Sequence, residues 1–328
     1  MQTQQVHTPT DAQPIVSFVI PCHNQPAAFV KECLDSIRAL SLQKEEREII
    51  LVDDGSETAV IDQLSDYADE LTYIRKANGG VSTARNTGLR IAKGTFIQFI
   101  DADDRLAQHP YEHVLHLARL GRADIIMFDY YQTEKPAEST YADEAPTNGC
   151  QLMHTSNIHG SACSYLFRRS IVGKLQFTPG IDYGEDEEFT PQLLLRADRV
   201  VRTTAKAYYY RQHPASAIND ASMERRQKRL DDNLKVIAHL NKLCDTLPAG
   251  ERHALTRRVN QLTMDYIYNT IRYHHDLTLQ LDKLRQLGLY PLPLRDYTRK
   301  YAWFSRLANN PAGLRLLKLA IPLMSDEK

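Results

Sequence analysis

At 328 residues, with 42% apolar and 25% charged side chains, the chain can bury one large core or two ordinary ones and is neither disordered nor fibrous in composition. No run of about 18 uninterrupted apolar residues occurs, which argues against a spanning helix. The net charge of −1 divides unevenly: residues 1–220 carry 21 Lys and Arg against 30 Asp and Glu, whereas 221–328 carry 19 against 11, a change of sign that suggests two regions with different roles.

The start, MQTQQVHTPTDAQP, lacks the basic head and apolar run of a signal peptide and reads as a polar tail over 1–13. PIVSFVI (14–20) reads as a buried strand, and the apolar spacing over 27–40 predicts a helix. EIILVD (48–53) predicts a strand, 58–68 a helix, LTYIR (71–75) a strand and 80–94 a helix stopped by Gly94 in a left-handed cap. TFIQFI (95–100) and ADIIMFD (123–129) continue an alternation typical of an α/β fold with a mostly parallel sheet. Between about 130 and 160 the periodicity fades into polar sequence, expected to be a hairpin or loop. CSYLFRR (163–169) and VVRTTAKAYYYRQ (200–212) then read as strands, and EDEEFTPQLLLRA (185–197) as a helix. A basic, mainly helical region follows over 221–328 and ends in AGLRLLKLAIPLM (312–324), so the expected organisation is tail, α/β domain over 14–220, and helical region.

The five cysteines are odd in number and lack CxxC spacing, so neither a disulfide framework nor a zinc knuckle is expected, and a reducing, cytoplasmic setting is. Three polar clusters stand where strands end: PCHN (21–24), DDGS (53–56) and DADD (101–104). Open α/β sheets bind ligands beyond the carboxyl ends of their strands. DDGS by itself is more often a turn, with Asp and Gly supplying the turn geometry. There is no GxGxxG and no GxxxxGK[ST], so neither a dinucleotide fingerprint nor a P-loop accounts for this rim. DADD offers hard oxygen ligands of the kind Mg²⁺ or Mn²⁺ prefers, shared with water and substrate phosphate. A solvated acidic turn is the plainer alternative.

The ordered set SFVIPCHN, LDSI, EIILVDDGS, NGGVSTARNTGLRIAKGTFIQFIDADD and GEDEEF resembles the family 2 glycosyltransferases of the GT-A fold, over about residues 15–215. That resemblance implies a nucleotide-sugar donor, usually a UDP-sugar, a Mn²⁺ or Mg²⁺ cofactor, and inversion at the anomeric carbon. It places Pro21, His23 and Asn24 at the wall around the base, with His23 where the family often has Tyr. It gives Asp54, with Asp53 adjacent, the uracil edge, and Arg85 the base or phosphate. Asp101, with Ala102, would lie near the ribose or metal, and Asp103 would bind the metal directly. Asp186 of YGEDEEF would be the general base, while Glu187 and Glu188 favour the positive end of a helix. Arg211, His213 and Ser216 fall in a segment resembling the one that closes over the diphosphate, with the tyrosines before it expected to pack in the sheet. ACSYLFRRSIVG (162–173) matches the acceptor and sugar side of the pocket.

The resemblance thus implies transfer to a glycan or lipid-linked acceptor in cell-surface polysaccharide or glycolipid synthesis. The basic tail shows no nucleic-acid module, so its Lys and Arg excess is read as packing onto the acidic half or as peripheral docking on an anionic membrane through 312–324. A sugar nucleotidyltransferase would need a Gly-rich basic loop after the first strand, which PCHNQPAAF does not supply. A non-catalytic nucleotide-sugar-binding subunit remains the alternative to an enzyme.

Overall fold

The run VSFVIPC forms strand β1 (Val16–Cys22), buried at every residue, because β-branched and aromatic side chains pack well on a pleated surface covered on both faces. The computed structural model describes residues 13–133, 140–212 and 222–325. β2 (Arg47–Asp53), β3 (Leu71–Arg75) and β4 (Phe96–Phe99) follow the predicted runs closely. β5 (Arg105–Leu106), β6 (Ile125–Tyr131), β7 (Tyr165–Arg168) and β8 (Val200–Tyr209) complete an eight-stranded sheet of order β3-β2-β1-β4-β7-β6-β8-β5. β3, β2, β1 and β4 run parallel, as do β6 and β8, while β7 opposes both of its neighbours and β5 opposes β8. The sheet is therefore mixed but mostly parallel, the α/β architecture the sequence predicts. In the 3-2-1-4 half, the strand order switches sides at β1, with β2 and β3 laid down on one side and parallel β4 on the other, and such a switch point opens a crevice at the carboxyl ends of β1 and β4.

Helices α1 (Ala27–Arg38), α2 (Val81–Ile91) and α3 (Gln108–Arg119) belong to the same unit as the sheet. α2 approaches β1 closely at Gly88, where a Cβ would stand 2.3 Å from Val19 Cγ1. A mid-helix glycine costs about 1 kcal/mol relative to alanine, and this contact is its reason.

Three local expectations need correction. Residues 58–68 form two short 3₁₀ turns, Val60–Gln63 and Ser65–Tyr67, instead of one α-helix. Ser65 and Asp66 compete for backbone hydrogen bonds at the junction, and β-branched Val60 and Ile61 gain little from helix. Gly94 is not a left-handed cap: α2 ends at Ala92 in extended geometry. Gly94 is instead demanded by proximity, since a Cβ there would lie 2.5 Å from the Ser17 nitrogen. Finally, the faded stretch around 130–160 contains helix α4 (Gly149–Thr155), its first turn capped by the Asn148 side chain accepting from the Gln151 N–H.

By contact, the chain groups into two compact units that interleave along the sequence, whereas the charge pattern suggested one boundary near residue 220. The first comprises the described parts of Met1–Pro146, Ala162–Gly180 and Arg199–Gln212; the second, those of Thr147–Ser161, Ile181–Asp198 and His213–Lys328. The second unit is helical: α4, α5 (Glu185–Leu194), α6 (Met223–Cys244), α7 (Ala249–Arg272), α8 (Leu277–Gln286), α9 (Arg299–Ala308) and α10 (Pro311–Ser325). Leu240, Leu255, Leu284, Tyr301 and Ala308 are fully buried in its core, each such leucine contributing about 1.5–3 kcal/mol. Asp276 and Thr298 cap α8 and α9 by accepting from the N–H groups of Leu279 and Tyr301.

Candidate active site

The polar turns after β2 and β1 are tied together at the strand ends. Asp53 is fully buried; its Oδ1 accepts from the Ser56 N–H at 2.8 Å and its Oδ2 from the Tyr73 hydroxyl at 2.6 Å. Burial alone would raise the Asp53 pKa, but the bonds from Tyr73 and Ser56 outweigh it and hold the carboxyl below its usual value. Asp54 is equally engaged: Oδ1 accepts from the Lys76 ammonium and the Gly79 N–H, Oδ2 from the N–H groups of Gly79 and Gly80. A carboxylate has about four acceptor positions, and three donors, with the Gly79 N–H shared between both oxygens, take up most of them. The Asp54 side chain therefore orders the 76–80 loop that starts α2.

Pro21 is buried within β1, opposite Val52 of β2. His23 is exposed, its Nδ1 donating to the Asp54 carbonyl at 3.0 Å. Asn24 adopts a φ of 50°, and its N–H donates to the Ser56 hydroxyl at 2.9 Å. His23 is thus an imidazole held at the edge of the rim, with Asn78 Nδ2 3.3 Å from either ring nitrogen.

The DADD turn leaves β4 beside β1. Arg85, on α2 and only 3% exposed, donates through Nη2 to Asp101 Oδ1 at 2.9 Å, its guanidinium flanked by Phe99 and Phe177. Ala102 is buried, while Asp101 and Asp103 are both half-exposed. Asp104 points inward at 1% exposure, accepting from the Tyr208 hydroxyl at 2.6 Å and the Arg211 N–H at 2.8 Å. Burial, with the Asp101 charge added, pushes the Asp104 carboxyl up from its ordinary range. The Tyr208 oxygen also accepts from the Asp101 N–H at 3.1 Å. Arg211 fastens the turn from outside: Nε donates to the Asp103 carbonyl at 2.7 Å, Nη2 pairs with Glu32, and the guanidinium lies 4.4 Å over the Phe29 ring. Tyr208 and Tyr209 are buried in the sheet as the sequence predicts. Ser216 and His213 lie outside the described residues.

A cleft of about 660 Å³ lined by Arg47, Glu48, Glu70 and Lys93 opens among the strand starts. It is at the wrong end of the sheet for ligands of an open α/β fold, and the carboxyl-end rim is the better candidate.

Asp186 lies in the second unit, in the first turn of α5, and is half-exposed. Its carbonyl accepts from the Thr190 hydroxyl at 2.8 Å, and that hydroxyl also reaches the Gly160 carbonyl at 3.2 Å. Glu187 and Glu188 do more than favour the helix dipole. Glu187 pairs with Arg258 of α7, and Glu188, 6% exposed, is 2.9 Å from His239 Nδ1 of α6.

Residues 17–174 match the model of glycosyl transferase family 2. That stretch, just under half of the chain, is similar to the family. A curated relative, the uncharacterized glycosyltransferase EpsJ of Bacillus subtilis (strain 168), is 30% identical over 218 residues, covering 62% of this chain and 62% of that protein. The chain therefore spans less than two thirds of the length of this relative that it matches. Among solved structures, S. aureus TarS 1-349 in complex with UDP-GlcNAc is 15% identical, with a TM-score of 0.65 over 95% of this chain and 91% of that one. The mannosyltransferase PcManGT from Pyrobaculum calidifontis, in complex with GDP-Man and Mn²⁺, is 14% identical, with a TM-score of 0.53 over 96% and 88%. These likenesses establish the GT-A type of α/β fold.

The donor set of the acid turn can be tested against a divalent metal. No cluster of three or more His, Cys, Asp or Glu arranged to hold a metal exists among the described residues. Asp101 and Asp103 nevertheless fit Mn²⁺ or Mg²⁺, which take one or two protein carboxylates and complete their shell with water and substrate phosphate. Lys76, Tyr208 and Glu32 were not singled out from sequence. Each acts on the rim from a distant position in the chain, Lys76 and Tyr208 through strand pairing and Glu32 from α1 through Arg211. Lys76, directly after a strand and before the glycine pair, was the one detectable signal.

Proposed function

We propose that the chain transfers a glycosyl group from a nucleotide-diphosphate sugar, a UDP-sugar by preference, to a hydroxyl of a glycan or lipid-linked acceptor, with inversion in one displacement. The acceptor class, in cell-surface polysaccharide or glycolipid synthesis, follows from the family resemblance. The observation that carries the transfer chemistry is the meeting of the Pro21–Asn24, Asp53–Ser56 and Asp101–Asp104 turns at the carboxyl ends of adjacent strands β1, β2 and β4.

In this reading Asp103, with Asp101, holds Mn²⁺ or Mg²⁺; when bound, the ion neutralises charge on the departing diphosphate. Arg85 orients the Asp101 carboxylate from beneath and screens its charge. His23 offers its ring to the base, with Pro21 and Asn24 shaping the wall, while Asp53 and Asp54 keep that wall in register. Arg211 offers its remaining guanidinium N–H groups to phosphate oxygens, a planar fork suited to them. Asp186 takes the proton from the acceptor hydroxyl as its oxygen bonds to the anomeric carbon, a contribution typically of about 10²–10⁴-fold in rate.

A thermal-shift panel of UDP- and GDP-sugars, with and without Mn²⁺, tests the proposal. One donor with metal should raise the melting temperature by mass action, and the same mixture should hydrolyse slowly. Failure of every nucleotide sugar to shift the transition would sink the reading. A donor that binds tightly yet never turns over with any acceptor would favour a non-catalytic binding subunit.

A further inference from the structure

Helix α10 is apolar on two sides, and its fold uses only one. Leu317 and Ile321 are buried at 3% exposure each in the core of the helical unit. Leu316, Leu319 and Leu323 stand 51%, 70% and 72% exposed. Their spacing of three and four places them in one stripe along the helix. A surface helix ordinarily turns polar residues outward, and scattered exposed leucines need no explanation, but a contiguous row does. Arg315 and Lys318 are exposed on the same helix.

We propose that this stripe of α10 docks on the interface of an anionic lipid bilayer, the leucines entering the acyl boundary and Arg315 and Lys318 meeting acidic headgroups. Charge favours that occupant. Helix α10 carries Arg315 and Lys318 and no Asp or Glu, so a second copy of the helix would bring like charges together, whereas an anionic surface attracts them by about 1 kcal/mol per basic residue. Length sets the mode. At 15 residues α10 is about 22 Å long, short of the roughly 30 Å hydrocarbon core. Among the described residues no helix is long and apolar enough to cross a membrane. The helix therefore lies in the interface plane. This deepens the reading of a lipid-linked acceptor given above but stands on α10 alone.

Vesicle co-sedimentation of the full chain tests it, using phosphatidylcholine with about one third phosphatidylglycerol against phosphatidylcholine alone. The unmodified chain should sediment with the anionic vesicles, less so in high salt. The triple variant Leu316→Ser, Leu319→Ser, Leu323→Ser should lose at least about tenfold in partition, and Arg315→Glu with Lys318→Glu should lose the preference for anionic lipid. Circular dichroism melting confirms that the variants fold, and because all five residues face outward, donor hydrolysis should be unchanged. Donor hydrolysis reports on the transfer reading separately, so the two can fail independently. The docking proposal is overturned if the unmodified chain ignores anionic vesicles or if the folded triple variant binds them equally well. It is also overturned if the triple variant halves the mass in light scattering without altering vesicle binding, since that marks a face between copies.

Discussion

The buried guanidinium of Arg85 and the half-exposed carboxylate of Asp101 meet at 2.9 Å, joining helix α2 to the turn that follows β4. The pair lets an acidic turn sit at the end of an apolar strand without leaving its charge uncompensated. Arg85→Met should cost about 2–3 kcal/mol of stability, less than the loss of a fully buried pair because Asp101 is partly solvated. Urea denaturation at neutral pH measures it. Arg85→Lys should restore part of the stability while leaving donor turnover impaired, because a point charge cannot reproduce the planar fork.

The proposed metal role of Asp103 gives a separable outcome. Asp103→Ala should abolish the extra thermal stabilisation that Mn²⁺ adds to donor binding, and a chelator should do the same to the unmodified chain. Donor hydrolysis should fall by about 10²-fold or more. An Asp103→Ala protein that keeps full metal-dependent turnover would exclude the role.

Asp186→Asn removes a proton acceptor while keeping shape. Turnover with acceptor should drop by about 10²–10⁴-fold, with the donor-induced thermal shift intact. If donor affinity and turnover fall together, Asp186 contributes to binding or folding instead of proton transfer.

Glu70 gives a pH-dependent stability prediction far from the rim. The hydrogen bond from Arg47, reinforced by that residue's charge and by Arg38, holds the Glu70 carboxyl below its usual range. A folded pKa below the unfolded one means that the stabilisation is complete above about pH 4.3 and is lost as pH falls through the folded value. Glu70→Gln should thus lower stability by about 1–2 kcal/mol at pH 7, with the same difference at pH 5 and convergence with the unmodified chain in stronger acid. Denaturant titrations across that range decide it.

The strands of the parallel half were legible because β1, β2 and β4 are apolar runs ending in polar turns, a pattern local enough to read directly. Helix α3 is equally local, with Tyr111, Val114, Leu115 and Ala118 at helical spacing. β5 is two residues long and exists only through its pairing with β8, so nothing local announces it. The same division runs through the candidate site. Asp101 and Asp103 are visible at a strand end, but nothing in DADD shows that Asp104 turns inward to Tyr208. Nor does DDGS show that Asp54 is committed to Lys76 and the Gly79–Gly80 amides. Those partners come from other strands, and side-chain saturation is a property of tertiary contact.

The polar contacts of α5 carry one more consequence. Glu187 finds its ion-pair partner, Arg258, on α7 and Glu188 its hydrogen-bond partner, His239, on α6, in sequence that begins only after residue 220. A chain truncated there would strand two acidic side chains, one of them buried, and strip away the packing beneath the turn that bears Asp186. The basic helices are thus a buttress for the proposed base, and cutting them off should disable it even though every recognisable family motif would remain.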